Sequence, residues 1–199
     1  MIIGVTGLPG VGKSTVSKLI VRFFEGGRAT GDKEEVLLID ADEIALRLYE
    51  PGGACWEKIR TFLGEEYLKK GKVDKSKLRK TIFLNDKKLK IVNKLLHPSI
   101  WAEMRHIIEN NKDKKLIVVD ASYLEGISGF LDVVVEVRAP RDEAIERSLK
   151  KKITPEMYEV IETVNVLVAK ADHVIENMST LNSLENEVQN FLKSIKIRL

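Results

Sequence analysis

The chain has 199 residues, of which 44% are hydrophobic and 32% charged, a composition that excludes disordered and fibrous classes. Lys plus Arg number 33 against 30 Asp plus Glu, and a net charge of only +3 calls for no nucleic-acid or membrane partner. The single cysteine, Cys55, rules out an internal disulfide or a thiolate metal cluster.

In chain order, Met1 to Val5 is a short apolar run that reads as a buried strand ending at a glycine-rich turn. From Lys13 the apolar positions Val16, Leu19, Ile20 and Phe23 follow helical spacing. Glu25 to Glu35, with Gly26, Gly27 and Gly31, reads as a surface loop. Val36 to Ile39 is the next strand, ending on Asp40-Ala41-Asp42. Between Asp42 and Ile108 the pattern is helical throughout, with turns expected at Pro51-Gly52-Gly53, Gly71 and Pro98. Leu116 to Val119 and Asp132 to Val137 read as strands, the first ending at Asp120 and the second near Ala139-Pro140. Helices follow at Arg141 to Lys151 and Pro155 to Val168, then a short strand at Asp172 to Ile175 and a closing helix at Leu184 to Ile195.

Short β-branched strands separated by helices predict an α/β fold, a parallel sheet with helices on both faces. Ligands in such folds sit beyond the carboxyl ends of the strands. The glycine loop, Asp40 with Asp42, Asp120 and Arg138 all end strands, and are expected to meet in one crevice. The apolar start is broken at once by glycines and Lys13, unlike a secretory signal, and no apolar run is long enough for a bilayer. These features predict a cytoplasmic protein, as a monomer or small homo-oligomer.

Gly7-Leu8-Pro9-Gly10-Val11-Gly12-Lys13-Ser14 is a complete G-x-x-x-x-G-K-[ST] phosphate loop, placed as its mechanism requires between a strand and a helix. Its glycines permit the backbone conformations that present N–H groups to phosphate oxygens, and the helix dipole adds to the attraction. Lys13 would neutralise β- and γ-phosphate oxygens of ATP, and Ser14 would complete the coordination of Mg²⁺. Thr15 could offer its hydroxyl or backbone N–H to the α-phosphate. Asp120, at a neighbouring strand end, could hold Mg²⁺ through water.

Binding a nucleotide is not yet a function. No Asn-Lys-x-Asp or Asp-x-x-Gly element of a GTP switch occurs, and Asp120 is followed by Ala121 rather than the Glu usual in motors. A small-molecule kinase fits better. Asp42 is the candidate base that takes the proton of an acceptor hydroxyl, with Asp40 orienting backbone or metal-bound water. Arg147 and Lys151 fall four residues apart and share a helix face, as expected of cations closing over a transferring phosphoryl group.

At this point the chain resembles the dephospho-CoA kinases from Ile3 to Asn177. Leu38-Ile39-Asp40-Ala41-Asp42 with Arg47 is similar to that family's Asp-Ala-Asp segment and its downstream Arg, and Pro51-Gly52 follows at the expected distance. Phe62-Leu63-Gly64, Gly71, Leu78-Arg79, Phe83 and His97-Pro98 resemble the helical acceptor-side insert. Ala171-Asp172-His173-Val174-Ile175-Glu176-Asn177 resembles the closing segment on the nucleotide side. The resemblance implies a three-layer α/β/α phosphate-loop kinase with one domain. Its core would span about 1–41, 113–140 and 169–199, its acceptor insert 42–110 and its lid 141–165. It implies transfer from ATP to the ribose 3′-hydroxyl of dephospho-CoA, with Asp42 as base and Arg147 facing ATP. Arg47, Arg79 and His97 would lie on the acceptor side. The loop residues Gly7, Pro9, Gly10, Val11, Gly12, Lys13, Ser14 and Thr15, with Asn177, would bind the nucleotide. The chain departs from the family at Lys151, where Arg is usual, at Ala144, where Gln is usual, and at Ser122-Tyr123-Leu124 in place of Pro-Leu-Leu. The residues alone leave two alternatives, a related kinase acting on a nucleoside, nucleotide or sugar acid, and a nucleotide-binding regulator without catalysis.

Overall fold

A computed structural model describes residues 1–26, 35–82, 85–165, 171–178 and 180–195. The five expected strands form one parallel sheet in the order β2-β5-β1-β6-β7. These are β1 (Ile2–Thr6), β2 (Val36–Asp40), β5 (Leu116–Asp120), β6 (Val133–Arg138) and β7 (His173–Glu176). Their apolar runs suit strands covered on both faces. All of β5 is buried, and alternate residues point to opposite helical layers. Leu116 and Val118 pack with α1 (Lys13–Gly26) and α8 (Leu181–Ser194), whereas Ile117 and Val119 pack with α2 (Ala41–Leu48) and the second half of α5 (Asp86–Glu109). Each fully buried Ile or Leu of this core contributes roughly 1.5–3 kcal/mol by leaving water.

The insert begins at α2, which the Asp40 side chain caps by accepting from the backbone N–H of Asp42 (2.8 Å) and Glu43 (3.3 Å). After α3 (Ala54–Lys58) come a π-helical turn (Ile59–Leu63) and a 3₁₀ turn (Glu65–Tyr67). A two-stranded hairpin then pairs β3 (Leu68–Lys69) with β4 (Lys72–Val73) about Gly71, and α4 (Lys75–Ile82) leads toward α5. This hairpin has no counterpart in the sequence expectation of helix throughout. Two-residue strands are too short to show a period of two.

Pro98 does not make the expected turn but lies inside α5. It has no N–H for the Lys94 carbonyl. Nearby carbonyls find donors from α3 instead: Lys58 Nζ donates to Leu95 (3.0 Å) and Cys55 Sγ to Leu96 (3.9 Å). Tertiary packing thus keeps this helix continuous through its proline. The Cys55 thiol is fully buried, and burial pushes its pKa up to about 11, so it is neutral and unreactive in the folded protein. The expected loop at Glu25 to Glu35 is shorter than predicted at its start, because α1 continues through Glu25 and Gly26; residues 27–34 lie outside the described residues, as does Phe83.

The expected lid comprises α6 (Arg141–Leu149) and α7 (Pro155–Asn165), with a 3₁₀ stretch at Glu125–Phe130 closing the other side of β6. Met157, Tyr158 and Ile161 of α7 join the main core, and residues 166–168 of the expected helix lie outside the described residues. Among the described residues no helix is long and apolar enough to cross a membrane.

Candidate active site

The phosphate loop joins β1 to α1, as its motif requires. Gly10 and Gly12 hold φ values of +76° and +102°, a region that L side chains rarely adopt. Packing adds to the restriction. A Cβ on Gly10 would stand 2.0 Å from the Ala144 carbonyl oxygen of α6. One on Gly12 would stand 2.5 Å from Asn177 Nδ2. Ala144, where Gln is usual in the resembled family, is fully buried against the loop.

Asn177 follows β7, and its Nδ2 donates to the Val11 carbonyl (2.8 Å), bracing the loop backbone. The Thr15 N–H donates to the Gly12 carbonyl (3.0 Å), which leaves its hydroxyl as the group free to meet a phosphate. Lys13 Nζ donates to the Leu8 carbonyl (3.0 Å). Burial lowers the Lys13 pKa, Asp120, Asp42 and Asp40 pull the other way, and Lys151 adds to the lowering. Asp120 is buried at the end of β5, and burial raises its carboxyl pKa against the hydrogen bond from Ser14 and the charge of Lys13.

Next to this loop opens a cleft of ≈ 450 Å³. Pro9, Lys13, Asp42, Arg79, His97 and Lys151 are among its walls. Its floor is apolar, with Leu89, Val92, Leu96 and Met104 of α5. Asp42 is exposed at the first turn of α2, so its carboxylate is free to meet a bound molecule, whereas the Asp40 carboxylate is committed to the helix cap.

Two of the four strand-end features, the glycine loop and Asp42, therefore line this cleft, and the third, Asp120, lies beside it against Ser14 and Lys13. The fourth, Arg138, does neither: its guanidinium pairs with Glu136 (2.7 Å) on the surface and lines no part of the cleft. Two residues on β6 two positions apart project to one side of the sheet, and that local pairing prevails. Arg47 is likewise outside the cleft wall, 3.6 Å from Glu103 and exposed. Arg147 pairs with Glu143 one turn back, while its Nη1 is buried without a partner, as is Ser148 Oγ on the next residue.

Sequence reasoning did not single out Tyr49 or Asn93, both of which line the cleft; Lys75, in the basic stretch Lys69 to Lys80 that could attract the acceptor's phosphates, and Tyr123, noted as a departure from the resembled family, line it too. Trp101 lines it as well while its ring packs on Gly126. Their signal was weak because each lies on a helix or loop whose facing is set by tertiary packing. Asn93 Nδ2 donates to the Tyr123 hydroxyl (3.1 Å), and burial raises the Tyr123 pKa to about 12.

His97 stacks at 4.5 Å from Tyr123 and 5.5 Å from Trp101, and burial lowers its pKa to about 4. It is neutral at physiological pH and can serve the cleft as a hydrogen-bonding group, not as a cation. Below 6.5 the unfolded chain binds a proton at His97 that the folded chain refuses until about 4. Stability should therefore fall across that window, with His97 contributing up to roughly 3 kcal/mol of the loss. Denaturant unfolding at pH 7.5 and 5 should show a smaller drop for His97→Gln than for wild type. Equal drops would mean that His97 is not held neutral.

The sheet order, the loop and the cleft beside it define a P-loop kinase. The family model for dephospho-CoA kinase matches residues 1–183, and the chain belongs to that family. A dephospho-CoA kinase of Fusobacterium nucleatum is 32% identical over 201 residues, covering 98% of both chains. One of Methylococcus capsulatus is 30% identical over 195 residues, covering 94% of this chain and 93% of its own. Solved structures agree on the fold. A crystal structure from Thermus thermophilus superposes with a TM-score of 0.64 at 22% identity, covering 99% of this chain and 98% of that one. A shikimate kinase from Bacteroides thetaiotaomicron gives 0.52 at 12% identity, covering 99% of both.

Proposed function

We propose that the protein transfers the γ-phosphoryl group of ATP to the ribose 3′-hydroxyl of dephospho-CoA, giving coenzyme A and ADP. The observation that carries this reading is that Lys13 of the phosphate loop and Asp42 share the wall of one cleft. Family membership supplies the acceptor; the cleft supplies a place for it. With this reading go a cytoplasmic setting and action as a monomer or small homo-oligomer, with no nucleic acid or membrane needed.

The acceptor O–H bond breaks as its oxygen bonds to the γ-phosphorus, and the bond from that phosphorus to the β,γ-bridging oxygen breaks. Asp42 takes the proton at a carboxylate oxygen, and ADP carries away the electron pair. Lys13 meets the β- and γ-phosphate oxygens with its ammonium in a site where burial strengthens the attraction. The oxygen donors of Ser14 and Asp120, already hydrogen-bonded to each other, fit a hard cation. They would hold Mg²⁺, which when bound neutralises charge on the phosphate oxygens. Lys151 faces the phosphates from the turn after α6. The partnerless Arg147 Nη1 fits an anion on the nucleotide side. We read residues 141–165 as the lid, 42–110 as the acceptor insert and the remainder as the core.

Arg79 and His97 lie on the acceptor wall. Arg47 would reach an acceptor only by releasing Glu103. Asp40 serves the site through its cap, which fixes the backbone of Asp42. Asn177 serves it through the Val11 carbonyl.

Release of ADP from Mg·ATP, with and without acceptor, tests the reading. Dephospho-CoA should stimulate release by orders of magnitude over adenosine, a nucleoside monophosphate or gluconate. Turnover with another of these would keep the kinase and discard the acceptor. ATP binding with no turnover would turn the reading into that of a regulator.

A further inference from the structure

We propose that Arg79 is a positioning residue that holds Lys151 in place beside the phosphate loop. The bond that carries the inference runs from Arg79 Nη1 on α4 to the Lys151 carbonyl oxygen, 2.8 Å across 72 residues of sequence. It joins the acceptor insert to the turn that ends α6, two parts of the chain that meet at the cleft.

The turn itself shows why such a bond is needed. The N–H groups of Lys151 and Lys152 donate to the Ser148 (2.9 Å) and Leu149 (2.8 Å) carbonyls, and that of Ile153 donates to Ser148 (3.1 Å). Lys152 sits at φ +60°, a left-handed conformation that a side chain with a Cβ adopts only under constraint. A flip of the peptide between Lys151 and Lys152 would carry that φ to a negative value and release the strain. The same flip would swing the Lys151 carbonyl away from Arg79, so the Arg79 hydrogen bond opposes it. Ile153, buried at the end of the turn, anchors the chain beyond.

The orientation held in this way matters to the phosphate site. Lys151 lines the cleft together with Pro9 and Lys13 of the phosphate loop. A lysine is a single point charge on a flexible stem, so its effect depends on where its backbone starts it. An arginine there could span the same gap with a fork. Arg79 uses one donor on the carbonyl, and its half-buried stem on α4 fixes the direction.

The inference rests on reading Lys151 as a phosphate-side cation, and not on the identity of the acceptor. Its test is the affinity for Mg·ATP, by calorimetry, in the full-length protein. Arg79→Ala and Lys151→Ala should each weaken ATP binding about tenfold. The double variant should be no more than about twofold weaker than Lys151→Ala alone. Adding Lys152→Gly to Arg79→Ala should restore affinity to within about twofold of wild type, because glycine holds the left-handed turn without strain. Thermal melting checks that each variant folds.

Losses that multiply to about 100-fold in the double variant would overturn the proposal. So would wild-type affinity in either single variant, or no rescue by Lys152→Gly. Turnover of the wild type with dephospho-CoA is measured alongside. Its absence, with the binding pattern intact, would remove the acceptor assignment and leave the role of Arg79 standing.

Discussion

Replacing Asp42 by Asn should lower turnover at least about 10²-fold while leaving ATP affinity nearly unchanged. The substitution keeps size and shape but removes the lone pair that can take a proton as a carboxylate does. The local structure should survive, because the cap of α2 comes from the Asp40 side chain and uses only the backbone N–H of residue 42. Two electrostatic side effects oppose each other. Asp42 is one of the carboxylates that support the charge of Lys13, and its field repels the phosphates. They offset each other, so its loss should leave ATP binding nearly unchanged. Steady-state turnover at saturating Mg·ATP and dephospho-CoA, with calorimetric ATP titration of the same sample, measures both quantities. Near-normal turnover would show that another group receives the acceptor proton.

Gly10→Ala should abolish nucleotide binding, with ATP affinity reduced by at least about 10²-fold and a stability loss of roughly 1–3 kcal/mol. Two costs coincide at this position. The backbone stands at φ +76°, and the added methyl would meet the Ala144 carbonyl at 2.0 Å and Ser148 Oγ at 2.6 Å. The side chain of Ser148 can turn, but the carbonyl cannot move without α6, whose Ala144 and Ser148 are both buried. The loop must yield instead, and its N–H groups lose their common direction.

Gly52→Ala provides the control. Gly52 also has a positive φ, +85°, yet nothing lies within 4 Å of an added Cβ. That variant should lose only about 1 kcal/mol and keep its ATP affinity. If Gly10→Ala binds ATP as well as Gly52→Ala does, α6 does not constrain the loop.

The phosphate loop was readable residue by residue because its chemistry depends on the backbone of eight consecutive positions. The strands were readable because each is built around a short run of aliphatic, mostly β-branched residues, and all five take their expected places within a residue at each end. Asp42 and Asp120 followed from the rule that strand ends face the ligand. Arg138 obeyed the same rule in sequence and not in space, since Glu136 beside it offered a nearer partner. Pro98 read as a turn because proline removes a helical hydrogen bond; the donors from α3 that serve the neighbouring carbonyls lie about 40 residues away in sequence.

The sequence by itself determined the parallel α/β fold, the phosphate loop and the candidate base, all of which are local patterns. It also carried the family, through motifs spread along most of the chain. Only the tertiary structure decided which cations face the cleft. Lys151 and Arg79 line it, while Arg47 and Arg138 pair elsewhere and Arg147 is drawn to Glu143. The reason is physical. A long charged side chain can reach several partners from one backbone position, and only the packing of neighbouring elements selects among them.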